Sequence, residues 1–128
     1  MKIDTHNKID RNLCGKPLET GEGFSRVELL LTENMAADES GLIHGGFVFG
    51  LADYAAMIAV NHPNVVLGSA DVKFLKPLKK GDTVIAEARV ENITGKKHTV
   101  RVTVENLKTK VFDGVFVCFV LEKHILSE

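Results

Sequence analysis

The sequence predicts an α+β fold in which a curved antiparallel sheet wraps around one central helix. A stretch of helical length, residues 47–60, is apolar on nearly all sides. Segments that follow it alternate between apolar and polar residues, as half-buried antiparallel strands do. A helix that is hydrophobic all round must be covered on most sides in a protein surrounded by water. A sheet that curves around the helix provides this cover.

The elements follow from local signals in chain order. Residues 1–22 are polar and contain two glycines, so much of this N-terminal extension is expected to be loop. Phe24–Thr32 is rich in branched apolar residues and predicts a strand. Alanine-rich sequence follows His44 and ends at Pro63, which predicts the helix. Four further strands are predicted within 65–75, 83–90, 100–104 and 111–121, with hairpin connections at 92–97 and 106–110.

Length and composition set the broad class. A chain of 128 residues predicts one domain, 1–128, which can bury a core without disulfides. The formal net charge of −1 gives no positive field for nucleic acid or an anionic membrane. Cys14 and Cys118 lack the spacing of a zinc site, so no metal is expected, and unpaired thiols are typical of a reducing cytoplasm. The N-terminus also lacks the apolar segment of a secretory signal.

Asp53 is the most informative residue, because it lies in the middle of the apolar helix. An unpaired buried charge costs several kcal/mol, so the carboxyl group must be partnered, hydrated or protonated. One interpretation is structural, with Asp53 bonding a backbone amide or a buried partner. The other is catalytic, because a desolvated carboxylate has a raised pKa and is a stronger base.

The helix opens with His44-Gly45-Gly46. The first N–H groups of a helix have no internal acceptor and lie at the positive end of the dipole. Glycines at this position let a ligand oxygen approach the backbone, so the site could hold a carbonyl and the oxyanion derived from it. The alternative is that the glycine pair only allows the loop to pack closely against the sheet.

The segment HGGFVFGLADYA resembles the motif of hotdog-fold acyl-CoA thioesterases of the PaaI type, and FLKPLKKGDTVIAEARV resembles a later part of that family. The resemblance covers about residues 30–120. It implies a hotdog fold, acyl-CoA as substrate and no cofactor beyond the coenzyme A of the substrate. It also implies that the N–H of Gly45 or Gly46 polarises the thioester carbonyl, and that Asp53 activates water or attacks directly. His44 would shape the loop.

One position departs from the family pattern. The family commonly has an assisting Asn six residues before the His, and this sequence has Asp38 there. The added negative charge favours a second hypothesis, a non-catalytic protein that binds or senses acyl-CoA on the same fold. Retained Asp53 favours the enzyme. A serine hydrolase is disfavoured because no GxSxG segment is present, and no His is placed to pair with Asp53 as a hydratase requires.

Spacing along the helix adds a requirement for assembly. Asp53 follows Gly45 by eight residues, which is roughly 12 Å along a helix. Reacting groups must be about 3 Å apart, so one chain cannot supply both groups to one thioester. The sequence therefore predicts a homodimer, or a tetramer made of two dimers, with Gly45 and Asp53 contributed by different subunits.

The remaining candidates concern the CoA portion. Lys76, Lys79 and Lys80 cluster after the predicted helix and are candidates for phosphate contact as point charges. Gly68 and Ser69 are expected to lie opposite the helix and to contact pantetheine.

Overall fold

The computed structural model describes residues 2–127, so both ends of the predicted 1–128 domain lie outside it. Six strands form one antiparallel sheet in the order β1-β2-β4-β5-β6-β3, and one long helix, α2, packs against it. The predicted hotdog fold is confirmed. The elements are α1 (Arg11–Cys14), β1 (Lys16–Gly21), β2 (Phe24–Leu30), a single 3₁₀ turn (Glu33–Met35), α2 (Gly45–Val60), β3 (Val65–Phe74), β4 (Thr83–Thr94), β5 (Lys97–Asn106) and β6 (Thr109–Val120).

Helix α2 is the centre of the core. Leu51, Ala52 and residues 54–59 are all buried, as an all-round apolar helix requires. The helix ends at Asn61, which takes the left-handed conformation with φ 53° and donates its N–H to the Met57 carbonyl. Pro63 follows two residues later, so the predicted end of the helix is confirmed.

The inner face of the sheet covers this helix. Val84, Ala86 and Ala88 of β4 are buried, and their small volume lets the helix approach the sheet closely. Val100, Val102 and Val104 of β5 continue the same face, and the largest buried side chains, Phe112 and Phe116, come from β6. The outer face carries charged side chains at half-exposed or exposed positions, including the pair Arg101–Asp113 at 3.0 Å. The predicted alternation of buried and polar positions is therefore present.

Strand β3 forms one edge of the sheet. It is hydrogen-bonded to β6 alone among residues 2–127, and Ser69, Ala70 and Asp71 are exposed. A bulge interrupts the pairing between Leu67 and Ser69. Gly68 suits this position, because a Cβ there would clash with the Phe119 ring. An unpaired edge of this length is a template for another strand.

The expectation that much of residues 1–22 is loop holds for residues 2–10, which contain no helix or strand, and fails for the residues after them. Asp10 caps α1 by accepting the Asn12 N–H at 2.8 Å, and β1 pairs with β2. The sequence of β1, KPLETG, is polar because this strand lies at the other edge of the sheet, where Pro17 is tolerated. Pairing with β2 therefore overrides a weak local preference.

Candidate functional site

Gly45 and Gly46 begin α2, as the sequence predicted. His44 precedes them in extended conformation and donates its backbone N–H to the Met35 carbonyl at 2.9 Å. The Phe47 N–H reaches the His44 carbonyl at 3.2 Å. Within residues 2–127, the N–H groups of Gly45 and Gly46 have no such acceptor. Two neighbouring donors at the positive end of a helix can polarise a carbonyl oxygen.

The His44 side chain is exposed and makes no hydrogen bond to the helix end. Its ring lies edge-on to Phe47, with 6.1 Å between the ring centroids. A Cβ at Gly46 would stand 3.1 Å from this ring. His44 therefore borders the two free N–H groups without occupying them.

Asp53 lies half-buried in the middle of α2. Its Oδ1 is buried and has no hydrogen-bond partner within the described chain. Burial raises the pKa of the Asp53 carboxyl to about 6. Within residues 2–127, Oδ1 therefore lacks the bonded partner that the structural interpretation of Asp53 requires. The carboxyl group is accordingly available to accept a proton from a bound molecule.

Gly46, Gly50 and Asp53 share one face of α2, since they are spaced by four and three residues. This face is exposed or half-buried, whereas Leu51, Ala52 and residues 54–59 are buried. A Cβ at Gly50 would meet no atom within 4 Å, so the surface beside it is open. The face ends in a free N–H group at one end and an unpartnered carboxyl oxygen at the other.

A pocket of about 290 Å³ opens beside the helix start. Its apolar wall is contributed by Ile43, Val48, Phe74, Leu78 and Val111, and Gly45 forms part of it. The Phe74 ring lies against Gly45, because a Cβ there would stand 3.0 Å from the Phe74 Cε1. Lys76 also lines this pocket. Of the three lysines predicted to contact phosphate, it is the one that lies beside the helix start.

Asp38 lies elsewhere. Its Oδ1 accepts hydrogen bonds from the Ser40 N–H at 2.9 Å and the Ser40 hydroxyl at 2.6 Å. These bonds lower the pKa of the exposed Asp38 carboxyl. Asp38 lines a separate surface depression with Glu33 and Lys80. In the single chain it shapes the loop before α2 and is not part of the Gly45 pocket.

The other predicted CoA contacts are spread over the surface. Lys79 and Lys80 are exposed, and the Lys80 amine lies 3.4 Å from the Glu33 carboxylate. Ser69 pairs with Val117, between the inward-facing Phe116 and Cys118, so its side chain lies on the outer face of the sheet. The Ser69 side chain therefore points away from the helix. Contact of Gly68, Ser69 and these lysines with CoA stays a prediction.

Phe74 was missed by the sequence reasoning. It is 55% exposed although it is a large apolar residue, and its ring packs edge-on to Phe112 with 5.2 Å between centroids. Its contact with Gly45 joins positions 29 residues apart. No periodicity in the sequence signals such a contact.

The two thiols do not contribute reactive groups to this site. Cys118 is fully buried, and burial together with the nearby Asp53 carboxylate raises the pKa of its thiol to about 12. Burial also raises the pKa of the Cys14 thiol. Among residues 2–127 there is no group of three or more His, Cys, Asp or Glu side chains arranged to hold a metal ion. No helix in the same range is long and apolar enough to cross a membrane.

Comparison with known proteins gives a family match. The Thioesterase superfamily matches residues 40–112, which include the helix start, Asp53 and Phe74. A crystal structure of an uncharacterized protein from Pyrococcus horikoshii is 50% identical with a TM-score of 0.98, covering 99% of this chain and 98% of that one. A mutant of the phenylacetic acid degradation protein PaaI from Thermus thermophilus is 30% identical with a TM-score of 0.78, covering 85% of this chain and 95% of that one.

Two curated relatives carry other names. Methylthioribose-1-phosphate isomerase of Aquifex aeolicus is 53% identical over 91% of this chain. Transcription factor FapR of Caldanaerobacter subterraneus is 29% identical over 76% of this chain. The chain spans only 25% of the isomerase and 48% of the transcription factor. Both names therefore belong to longer proteins, of which this chain resembles one part.

Proposed function

The chain belongs to the thioesterase superfamily, and on that premise we propose that it hydrolyses an acyl-CoA thioester to CoA and a carboxylic acid. The single observation on which the proposal rests is that helix α2 contains two incomplete half-sites. Free N–H groups lie at Gly45 and Gly46, and an unpartnered carboxyl oxygen lies at Asp53. Each half-site lacks the group that the other supplies.

The two half-sites are too far apart to act within one chain, since eight residues of helix separate Gly45 from Asp53 by roughly 12 Å. A second copy resolves the separation. When two helices pack antiparallel about a two-fold axis, Gly46 faces Asp53 of the partner subunit if the axis passes midway between them, at Phe49 and Gly50. The open surface beside Gly50 supports such an approach.

The free edge of β3 supports the same assembly, because pairing of two β3 strands would extend the sheet across both subunits. The antiparallel two-fold arrangement contains two equivalent sites per dimer. Further pairing of dimers into a tetramer is compatible with it. We expect the two unpaired thiols to correspond to a reducing, cytoplasmic location.

The chemistry follows from the two groups. The thioester carbonyl oxygen accepts hydrogen bonds from the Gly45 and Gly46 N–H groups, which stabilise the oxyanion that develops as water attacks. Asp53 of the partner subunit removes a proton from the attacking water. The tetrahedral intermediate collapses, the carbon–sulfur bond breaks, and the proton held by the carboxyl group passes to the departing CoA sulfur. Lys76 lines the pocket, and in this mechanism it would meet the polar part of the substrate.

The test is release of free thiol from a panel of acyl-CoAs by the purified protein, with Asp53→Asn and Gly46→Val as variants. Both variants should lose turnover while remaining folded. Mixing them should restore part of the activity, because a hybrid dimer rebuilds one complete site from opposite subunits. Subunit exchange must be verified with differently tagged chains. Verified exchange without recovery would exclude the cross-subunit site.

A second function is supported by the relative named as a transcription factor, which shares this part of its chain. The chain would then bind acyl-CoA without cleaving it. The position of Asp38, which the family commonly fills with Asn, is compatible with this alternative. Saturable binding of acyl-CoA with thiol release no faster than in buffer would select the binding function and reject the hydrolase.

A further inference from the structure

The pocket beside Gly45 carries an inference about the acyl group, which rests on the proposed function. A thioester whose carbonyl is held by the Gly45 N–H has its acyl carbons bonded directly to that carbonyl carbon. The carbonyl carbon bears two groups, the acyl chain and the CoA sulfur. The space next to Gly45 must therefore receive one of these two groups. The available wall is aliphatic and aromatic, from Ile43, Val48, Leu78 and Val111 together with Phe74.

The character of the wall selects between those two groups. Pantetheine carries amide groups that need hydrogen-bond partners, and burying one without a partner costs on the order of 1–3 kcal/mol. A hydrocarbon chain needs no such partner and gains from leaving water. The aliphatic part of the pocket therefore fits the acyl chain, while Lys76 at its polar side fits the CoA portion.

The size of the pocket limits the chain. Its volume of about 290 Å³ falls at the lower end of ligand pockets, which span roughly 300–1,000 Å³. Phe74 closes one side: its ring contacts Gly45 and packs edge-on to Phe112 at 5.2 Å. The ring is held by Phe112 on one side while more than half of the residue stays exposed. Replacing it with a smaller side chain would open this wall to the surface.

We propose that the pocket holds the acyl group of the substrate, and that Phe74 is the specificity-determining residue that restricts it to short apolar acyl groups. Phe74 supplies no reacting group. Its role is to place an aromatic ring across the path that a longer chain would take. Acyl chains that end before the ring fit the pocket, and chains that extend past the ring collide with it.

The experiment measures kcat/KM for acetyl-, butyryl-, hexanoyl- and palmitoyl-CoA with the wild type, Phe74→Ala and Phe74→Trp. The wild type should prefer butyryl- or hexanoyl- over palmitoyl-CoA. Phe74→Ala should raise the palmitoyl-to-butyryl ratio by about tenfold, because the collision with the ring is removed and burial of two further methylenes in the vacated space contributes roughly fourfold each. Phe74→Trp should lower the hexanoyl-to-acetyl ratio. Phe24→Ala is the matched control, because Phe24 lies on the outer face under Arg89.

Ratios of kcat/KM between acyl lengths separate a change in specificity from structural damage. Structural damage would lower kcat/KM for all four substrates together. An unchanged ratio in a folded Phe74→Ala protein overturns the inference. If the wild type releases no thiol, hydrolysis fails, and the same series is measured by calorimetric titration of the intact acyl-CoAs. A shift in relative Kd towards longer chains in Phe74→Ala then supports the pocket assignment alone. Equal relative Kd values, or no binding of any acyl-CoA, reject it.

Discussion

The sharpest prediction concerns Asp53→Asn, which keeps the size of the side chain and removes its charge. Burial raises the pKa of Asp53 from 3.8 to about 6. Between about pH 4 and pH 6 the folded chain retains a proton that the unfolded chain has released, so stability falls as the pH rises through this window. A difference of two pKa units corresponds to about 3 kcal/mol per chain. Hydrogen-bond donors from a partner subunit would lower the pKa of Asp53 and reduce this free-energy difference.

Asp53→Asn has no carboxyl group to ionise, so it lacks this pH-dependent loss of stability. The free energy of unfolding of the wild type should therefore drop by up to about 3 kcal/mol more than that of Asp53→Asn between pH 4 and pH 7. An unsatisfied amide costs about 1–3 kcal/mol at every pH. At pH 7 the two effects offset each other, and the variant should be about as stable as the wild type. Urea unfolding at a fixed protein concentration measures both terms.

Turnover should behave differently. Loss of a positioned base should reduce kcat by ~10² or more. In the wild type, kcat/KM should rise with pH and level off above an inflection near the Asp53 pKa of about 6, because only the carboxylate accepts a proton. Asp113→Asn is the matched control, since Asp113 pairs with Arg101 on the outer face. Wild-type turnover in the purified Asp53→Asn protein would refute the mechanism, and parallel pH profiles of stability would refute the desolvated carboxyl group.

Three further predictions follow from the helix face. Gly46→Val should lower turnover by ~10²–10³ by blocking an oxyanion donor, and thiol release from the folded variant measures it; unchanged turnover would place the oxyanion elsewhere. Sedimentation at micromolar concentration should show a dimer or tetramer, and a predominant species of about 14 kDa would remove the shared site. Gly50→Leu should weaken association and activity together, because its side chain would fill the open surface beside the two-fold axis; a fully active dimer would contradict that axis.

The sequence was sufficient to predict α2 and its candidate groups. An unbroken apolar stretch with one carboxylate has few structural solutions, so the helix, the glycine start and Asp53 were all identifiable. The hairpin between β5 and β6 was also predicted, although the turn itself is shorter than the predicted connection. It contains only Leu107 and Lys108, both with positive φ.

Contacts between distant segments could not be predicted in this way. Strand β1 depends on pairing with β2, and the outward direction of Ser69 depends on a bulge at Gly68. The position of Phe74 against Gly45 depends on how the end of β3 crosses the helix start. That Asp53 Oδ1 lacks a partner is likewise a property of everything packed around it, since Asp at this position is equally compatible with a bonded group.

The strand β3 has a consequence for how the protein responds to dilution. Its free edge is the proposed contact between subunits, and its last residue, Phe74, borders the pocket. A ligand that binds only the assembled form shifts the association equilibrium towards that form by mass action. Substrate would therefore draw chains together, and specific activity would fall as enzyme is diluted below the dissociation constant of the dimer. Saturating acyl-CoA should move that fall to lower protein concentration.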